Sequence, residues 1–393
     1  MRTKGKFFVA VIMMCFAYTP TVNAQNWYKG NLHTHSLWSD GDDYPEMVTE
    51  WYKTHGYNFI GLSEHNKIQE GSNWILVNSD VGKKAYNKYL NRFGSLVDYV
   101  HWSNDLRVRL KTLEEYRGLF EEKGKFMIFQ NEEITSNLNS HPLHMVATNI
   151  KYVIEGQYGK SNTEIIQKTV NQANEQRKET GWKTIVQLNH PNFGYAVTAA
   201  DIMPVKNLRF FEVHNGAPAT HNYGNAVNDS TEVIWDKVNL HFYKEGRPLL
   251  YGNGVDDTHN YHEMNPGLNN PGRAWIMVYA AELTPSAIVD AMESGRYYAS
   301  TGVALEDLSF SNKKISLRIK QEDGVTYKIQ FIGVRKGKER SEILKEVAGA
   351  EAEYVLGSDD LFVRAKIISS KLKENVSAVG DVETAWTQPV ARR

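Results

Sequence analysis

Between residues 27 and 259, short apolar runs recur along the chain, each closing in polar residues. They occupy 27–32, 58–62, 126–130, 144–148, 184–188, 208–213 and 249–251. The runs are continuously apolar, so both faces of each strand are expected to be covered. Most are followed by helix-compatible stretches, such as 45–54, 112–122 and 163–177. Buried strands alternating with helices predict a parallel α/β sheet, and seven of them predict a distorted (β/α)7 barrel. His33, His35, His65, Glu133, His190, His214 and Asp257 stand at or just past the C-terminal ends of these runs. In such barrels that rim is where side chains distant in sequence converge.

Two stretches depart from this pattern. Residues 67–115 form a long insertion rich in aromatics (Trp74, Tyr86, Tyr89, Tyr99, Trp102), read either as a lid or wall over the rim or as a subdomain that packs beside it. After Gly302, residues 315–319, 326–332, 353–356 and 361–367 read as strands separated by Gly, Asn, Asp and Lys. They predict a small antiparallel β-sandwich-like domain over 304–393, behind a barrel domain over 25–303. Its expected role is to pack against the barrel, with carbohydrate or surface binding as the alternative.

The first 24 residues read as an export signal. Arg2, Lys4 and Lys6 precede an apolar stretch at 7–18, and Val22-Asn23-Ala24 offers small residues for cleavage before Gln25. The stretch is too short for a permanent span, and no other run approaches spanning length. A periplasmic or secreted protein is therefore expected. Cys15, the single cysteine, lies in the leader, so the mature chain has no disulfide, cysteine ligand or thiol nucleophile. Losing the leader leaves 42 basic against 46 acidic side chains, a net charge of −4. With no basic stripe, nucleic acid is not an expected partner.

The strongest chemical signal is Asn31-Leu32-His33-Thr34-His35, followed by Asp40 and Gly41. Histidines at i and i+2 of a strand point to the same face, so both rings can reach one ion. Asp40 adds an oxygen donor, and the mixed set suits Zn²⁺, Mn²⁺ or Fe²⁺ better than Mg²⁺. Further candidates are Glu64-His65, Glu132-Glu133, His141 and His144, His190-Pro191, and Asp256-Asp257 with His259. Any one of these alone reads as a hydrogen-bonded strand end. Together they do not.

The pattern resembles the polymerase and histidinol phosphatase (PHP) superfamily of metallohydrolases. The resemblance rests on His33-x-His35-x4-Asp40, His65 twenty-five residues on, Glu133 with His144, His190 in His-Pro, and Asp257-x-His259, and it spans 27–302. The Gly-Lys-Phe and Glu-Glu-Ile-Thr of 113–135, the Gly-Arg-Tyr-Tyr-Ala-Ser at 295–300 and the appended β-domain resemble the secreted branch that includes carbaryl hydrolases. Residue 64 departs from the pattern, being Glu where many relatives have Asp. The resemblance implies two or three divalent ions, Zn²⁺ or Mn²⁺ first and Fe²⁺ next. His33, His35, Glu133 and Asp257 would hold one, and Glu133 would be shared with a second on His144 and His190. Asp40, His65 and His259 would hold a third. Glu132, Asp256 and His141 would then orient the ligands.

Such ions supply hydroxide at neutral pH and stabilise charge on substrate oxygens. His214 and Asp256 are the candidate catalytic residues beside them, with His214 as a general acid or substrate contact. Arg273 and Arg296 are candidate partners for phosphate oxygens. The expected activity is hydrolysis of a small phosphomonoester or phosphodiester. A carboxyl- or carbamate-ester hydrolase is the first alternative, and a non-catalytic metal-dependent binding protein the second.

Overall fold

The computed structural model describes residue 1, residues 25–311 and residues 313–392, so residues 2–24 of the expected leader lie outside the described residues. Strands β1 (Asn26–Asn31) and β2 (Phe59–Leu62) run parallel, with helix α1 (Pro45–Thr54) between them. An insertion follows, in which β3 (Asn73–Leu76), α2 (Asp80–Phe93), β4 (Tyr99–Trp102) and β5 (Asp105–Leu110) build their own sheet, ordered β3-β5-β4. Next come α3 (Leu113–Phe120), β6 (Met127–Leu138), β7 (His141–Thr148), α4 (Asn162–Thr180), β8 (Ile185–Leu188), α5 (Ala199–Ile202), β9 (Phe210–Asn215), α6 (Thr231–Lys244) and β10 (Tyr251–Val255). Local signals set several of these ends. Thr112 and Glu115 close a capping box on α3, while Ser161 caps the start of α4 and Gly181, at φ +72°, ends it.

Each of the seven apolar runs falls on a strand, and these strands lie side by side in the order β1-β2-β6-β7-β8-β9-β10. Two features depart from an all-parallel closed barrel. β6 and β7 form an antiparallel hairpin, turned by Asn139 and Ser140 at φ +51° and +67°. Two consecutive left-handed residues make the turn that suits a two-residue hairpin loop. The sheet also does not close. The free edge of β1 is taken by β11 (Trp275–Ala280), which pairs antiparallel from Asn26↔Ala280 to Gly30↔Ile276, so β10 has no ladder to join. Beyond the strand ends the two edges still meet through one bridge, Thr34↔Thr258, with Asp257 N–H donating to the His33 carbonyl at 3.0 Å. The result is a mixed α/β fold on one large curled sheet.

After α7 (Pro285–Glu293), β12 (Tyr297–Ser300) pairs with β11 and carries the sheet onward. The C-terminal strands are β13 (Leu305–Ser311), β14 (Lys314–Ile319), β15 (Tyr327–Arg335), β16 (Glu342–Ala348), β17 (Glu351–Val355), β18 (Asp360–Leu372), β19 (Val382–Thr387) and β20 (Val390–Ala391). β19 pairs with β12, so the strands β12-β19-β18-β15-β16 continue the large sheet. A separate sheet, β13-β14-β17, packs over them through Leu308, Ile315, Leu317, Ile329, Phe331 and Val363. The insertion packs on α1 instead, where Tyr44 stacks on Tyr89 with centroids 4.1 Å apart, and its Trp102 is 74% exposed.

Candidate metal centre

All nine residues named above as ligands meet at one end of the strands. His33 and His35 share a face past β1, and Asp40 returns to them on a turn closed by Gly41 N–H to the Ser36 carbonyl at 3.0 Å. That turn requires glycine, because a Cβ on Gly41 would sit 2.7 Å from the His35 carbonyl. Glu64 holds the same turn through the Ser36 and Ser39 hydroxyls, both at 2.5 Å, so its carboxyl faces the loop rather than the cluster. His65 ends β2, Glu133 and His144 stand on the hairpin, and His190 follows β8. Asp257 and His259 follow β10, and Asp257 has φ +53°, a conformation that costs a non-glycine residue energy and recurs at functional sites.

Glu133 is the hub. One oxygen lies 3.1 Å from His33 Nε2, 3.2 Å from His144 Nδ1 and 3.4 Å from His190 Nε2. The other is 3.3 Å from His35 Nε2 and 3.1 Å from His65 Nδ1. Asp257 Oδ1 sits 3.2 and 3.3 Å from Nε2 of His33 and His35. Asp40, exposed at the mouth, is 3.4 Å from Nε2 of both His65 and His259. Four overlapping groups of donors are close enough to hold an ion: His35/Asp40/His65/His259, His33/Glu133/His190, His33/His35/Asp257 and His65/Glu133/His144.

The decisive detail lies in the two histidines at the centre. Nε2 of His33 and of His35 is buried and has no hydrogen-bond partner, although carboxylate oxygens stand 3.1–3.3 Å away. Buried nitrogen without a partner is costly. His33 Nδ1 meets Glu212 Oε1 at 2.7 Å, which places the ring proton there and leaves the Nε2 lone pair facing the carboxylates. Lone pairs converging on lone pairs are what a divalent cation satisfies, so the residues fit one.

The electrostatics agree. Burial opposes a charged His33, but Asp257, Glu133 and Glu212 outweigh it and hold its pKa well above the ordinary value. Burial equally opposes charge on Glu133, yet His33 and His144 bring it well below the carboxylate range, and Asp257 likewise sits low beside His33 and His35. His35, buried and next to His259, is lowered to about 4. The carboxylates that raise His33 would attract a metal cation as well.

Several further side chains hold the cluster. Glu212 also accepts from His190 N–H and Gln187, Asn189 donates to Glu133 at 2.8 Å, and Asn215 donates to Asp257 at 3.1 Å. Thr135 Oγ1 meets His65 Nδ1 at 2.5 Å. Glu212 and Asn215 flank His214 in the sequence. Their signal was the strand-end position they share with the ligands.

Other candidates lie elsewhere. His214 is buried against Trp386, stacked at 5.2 Å, with Lys373 Nζ 3.4 Å away, and burial brings its pKa well down. The β9–β10 register slips between Glu212 and His214, so the usual i, i+2 alignment fails and His214 faces away from Glu212. Asp256 accepts from the amides of Gly272, Arg273 and Ala274 and from Tyr52, and burial raises its pKa. Arg273 is buried, donating to the carbonyls of Gly216, Leu268 and Asn265, and burial lowers it to about 10. Arg296 lines a different cavity with Trp27, Tyr279 and Phe310. Glu132 points away to Ile154 N–H, raised to about 8 by burial, and His141 is exposed at the hairpin turn. The insertion contributes no residue to the lining of the metal cavity among the described residues.

No protein-family model and no curated protein matches the chain. Solved structures do show likeness. A two-domain protein from Bacteroides vulgatus ATCC 8482, containing a predicted PHP-like metal-dependent phosphoesterase, is 13% identical, with 93% of this chain and 95% of that one covered and a TM-score of 0.41. A putative metal-dependent phosphoesterase from Bifidobacterium adolescentis ATCC 15703 is 11% identical over 60% of this chain and 89% of its own, at a TM-score of 0.30. An amidohydrolase from Chromobacterium violaceum is 13% identical over 59% and 88%, also at 0.30.

Proposed function

We propose that this chain is an exported metal-dependent hydrolase of ester bonds, acting on a small phosphoester. One observation carries the reading: the partnerless Nε2 atoms of His33 and His35 converge on the carboxylates of Glu133 and Asp257. His33, His35, Glu133 and Asp257 would hold one ion, Glu133, His144 and His190 a second, and Asp40, His65 and His259 a third, with Zn²⁺ or Mn²⁺ as occupants and Fe²⁺ next. Ions so held would bring a water's pKa toward neutrality and offset charge developing on substrate oxygens.

The chain's own residues do the positioning. Glu212 holds the proton at His33 Nδ1, and Asn189 and Asn215 each donate to one carboxylate oxygen, of Glu133 and of Asp257. Side chains locked in this way keep the ligand set assembled before substrate arrives. The apolar leader and small-residue exit at 22–24 support export.

A second reading, hydrolysis of a carboxyl or carbamate ester, is favoured by one observation: Arg273 is spent on backbone carbonyls and Arg296 faces another cavity. Mass spectrometry of the purified protein should count bound metal, and assays on p-nitrophenyl phosphate, bis-p-nitrophenyl phosphate and p-nitrophenyl acetate should show turnover. A metal-free protein, or full activity in a His33→Ala, Asp257→Ala double variant, would sink the reading.

A further inference from the structure

Outside the ligands, the cavity over the cluster is lined by Phe193, Ala217, Ala219, Thr220 and Asn269 and has a volume of about 200 Å³. No lysine or arginine lines it among the described residues. Its neutral donors are two side chains, Thr220 and Asn269. The Thr220 hydroxyl donates to the Ala217 carbonyl at 2.7 Å, and Asn269 Nδ2 faces His259 Nδ1 at 3.2 Å.

The wall is preformed. Asn192 donates to the carbonyls of His221 and Asp229, and Tyr195 stacks on His221 at 5.2 Å and 11°, tying the loop after β8 to the loop after β9. Tyr195 and His221 both have positive φ, at +51° and +46°. Strain of this kind persists only where the surroundings fix it. It sets the Phe193 ring 5.3 Å from that of His190 and 6.4 Å from that of His144.

A phosphomonoester presents three non-bridging oxygens carrying two charges. Those not turned to the ligand cluster would face this wall, where no lysine or arginine among the described residues meets their charge, and losing their water would be poorly compensated. An apolar substituent in the same place gains contact with Phe193, Ala217 and Ala219. We propose that the site takes esters whose acid half carries an uncharged apolar arm against that wall, a phosphodiester or a carboxyl ester, and rejects phosphomonoesters. The inference rests on the hydrolase reading above. In the reaction, a water oxygen bonds to phosphorus or to the carbonyl carbon. The bond to the ester oxygen breaks with its electron pair, and a proton from the water ends on the leaving oxygen.

The test uses the metal-loaded full chain and compares kcat/KM for p-nitrophenyl phosphate, bis-p-nitrophenyl phosphate and p-nitrophenyl butyrate. One of the latter two, which tells the phosphodiester from the carboxyl ester, should exceed the monoester at least about tenfold. Phe193→Ala should raise KM for the preferred substrate about tenfold while changing the monoester less than ~threefold, and Ala219→Arg should narrow the preference. By calorimetry, phenylphosphonate should bind more tightly than orthophosphate, and Phe193→Ala should remove that advantage. A preference for the monoester, or equal losses on all substrates in Phe193→Ala, overturns the inference. Inertness toward all three substrates with metal bound overturns the hydrolase reading instead, and the phenylphosphonate titration then decides the inference alone.

Discussion

Two buried clusters of charge sit in this protein, and they are built on opposite plans. Where α6 meets β18, Arg364 donates from Nε to Asp236 at 2.8 Å and from Nη2 to Asp236 and Glu232 at 3.0 Å, while Lys366 meets Glu232 at 2.5 Å. Two cations face two carboxylates, and although Arg364 Nη1 has no partner, each carboxylate meets opposite charge. At the metal centre, histidine nitrogens and carboxylate oxygens face each other with the central Nε2 atoms unpartnered. The first cluster balances its charges within the protein and serves the fold. The second sets histidine nitrogens against carboxylates without a permanent cation, an arrangement that a metal ion would complete.

The sharpest way to break this comparison is at Glu133. Glu133→Gln keeps the shape but removes the charge shared among five histidines. Activity on whichever ester is turned over should fall at least ~10⁴-fold, on the order of 5 kcal/mol, and the metal count should drop. Chelation should likewise abolish activity and lower the melting temperature by mass action. If activity and metal content both survived, the cluster would be structural like the other.

Arg364→Ala tests the opposite plan. Removing Arg364 strands Asp236 in the interior and leaves Glu232 with Lys366 alone, costing about 4 kcal/mol in urea unfolding, with metal stoichiometry unchanged in the folded protein. A loss of metal together with stability would mean that the two clusters are coupled.

A lone buried acid gives the third case. Glu46 on α1 makes no ion pair among the described residues and accepts from the Tyr89 hydroxyl at 2.5 Å, and burial, outweighing that bond and the more distant Lys111, raises its pKa to about 7. Its folded pKa lies above the unfolded value, near 4.5, so the folded state holds the proton more tightly. Its contribution is full below about pH 4.5 and is lost as pH rises through 7, roughly 3 kcal/mol in all. Stability measured from pH 5 to 8 should therefore decline less in Glu46→Gln than in the parent. Parallel curves would refute the assignment.

Much of this was legible in sequence, and the gaps have physical causes. The seven apolar runs marked seven adjacent strands because burial on both faces leaves a plain signature. Non-closure was not legible, because β11 claims the edge of β1 through backbone pairing, which its side chains do not advertise. The nine candidate ligands converge because most follow strand ends on one side of the sheet, while Glu133 and His144 stand within the β6–β7 hairpin that extends past that edge. The adjacent acids divided as strand alternation requires: Glu133 faces the cluster and Glu132 the opposite side. His214 was opaque, since one β-bulge reverses the face on which a side chain stands, and no residue type announces it. Arg273 was opaque for a similar reason. Arginine suits phosphate and backbone carbonyls alike, and only the folded loop decides between them.

The finest test concerns which ring nitrogen of His33 is left to meet a metal. Glu212 is fully buried and touches His33 Nδ1, His190 N–H, Gln187 and Asn215 at once. Its carboxylate can only accept, so it fixes the proton of His33 at Nδ1 and leaves Nε2 as a donor to metal. In Glu212→Gln the amide can turn its NH₂ toward Nδ1, which moves the ring proton to Nε2, where it blocks the ligand position. Metal affinity should fall 10- to 100-fold, about 1.4–2.8 kcal/mol, and excess metal should restore activity. Glu212→Asp, which keeps the charge and shortens the reach, should lose less. Unchanged affinity in Glu212→Gln would mean that the unpartnered nitrogens, and with them the contrast between the two clusters, do not depend on the tautomer that Glu212 selects.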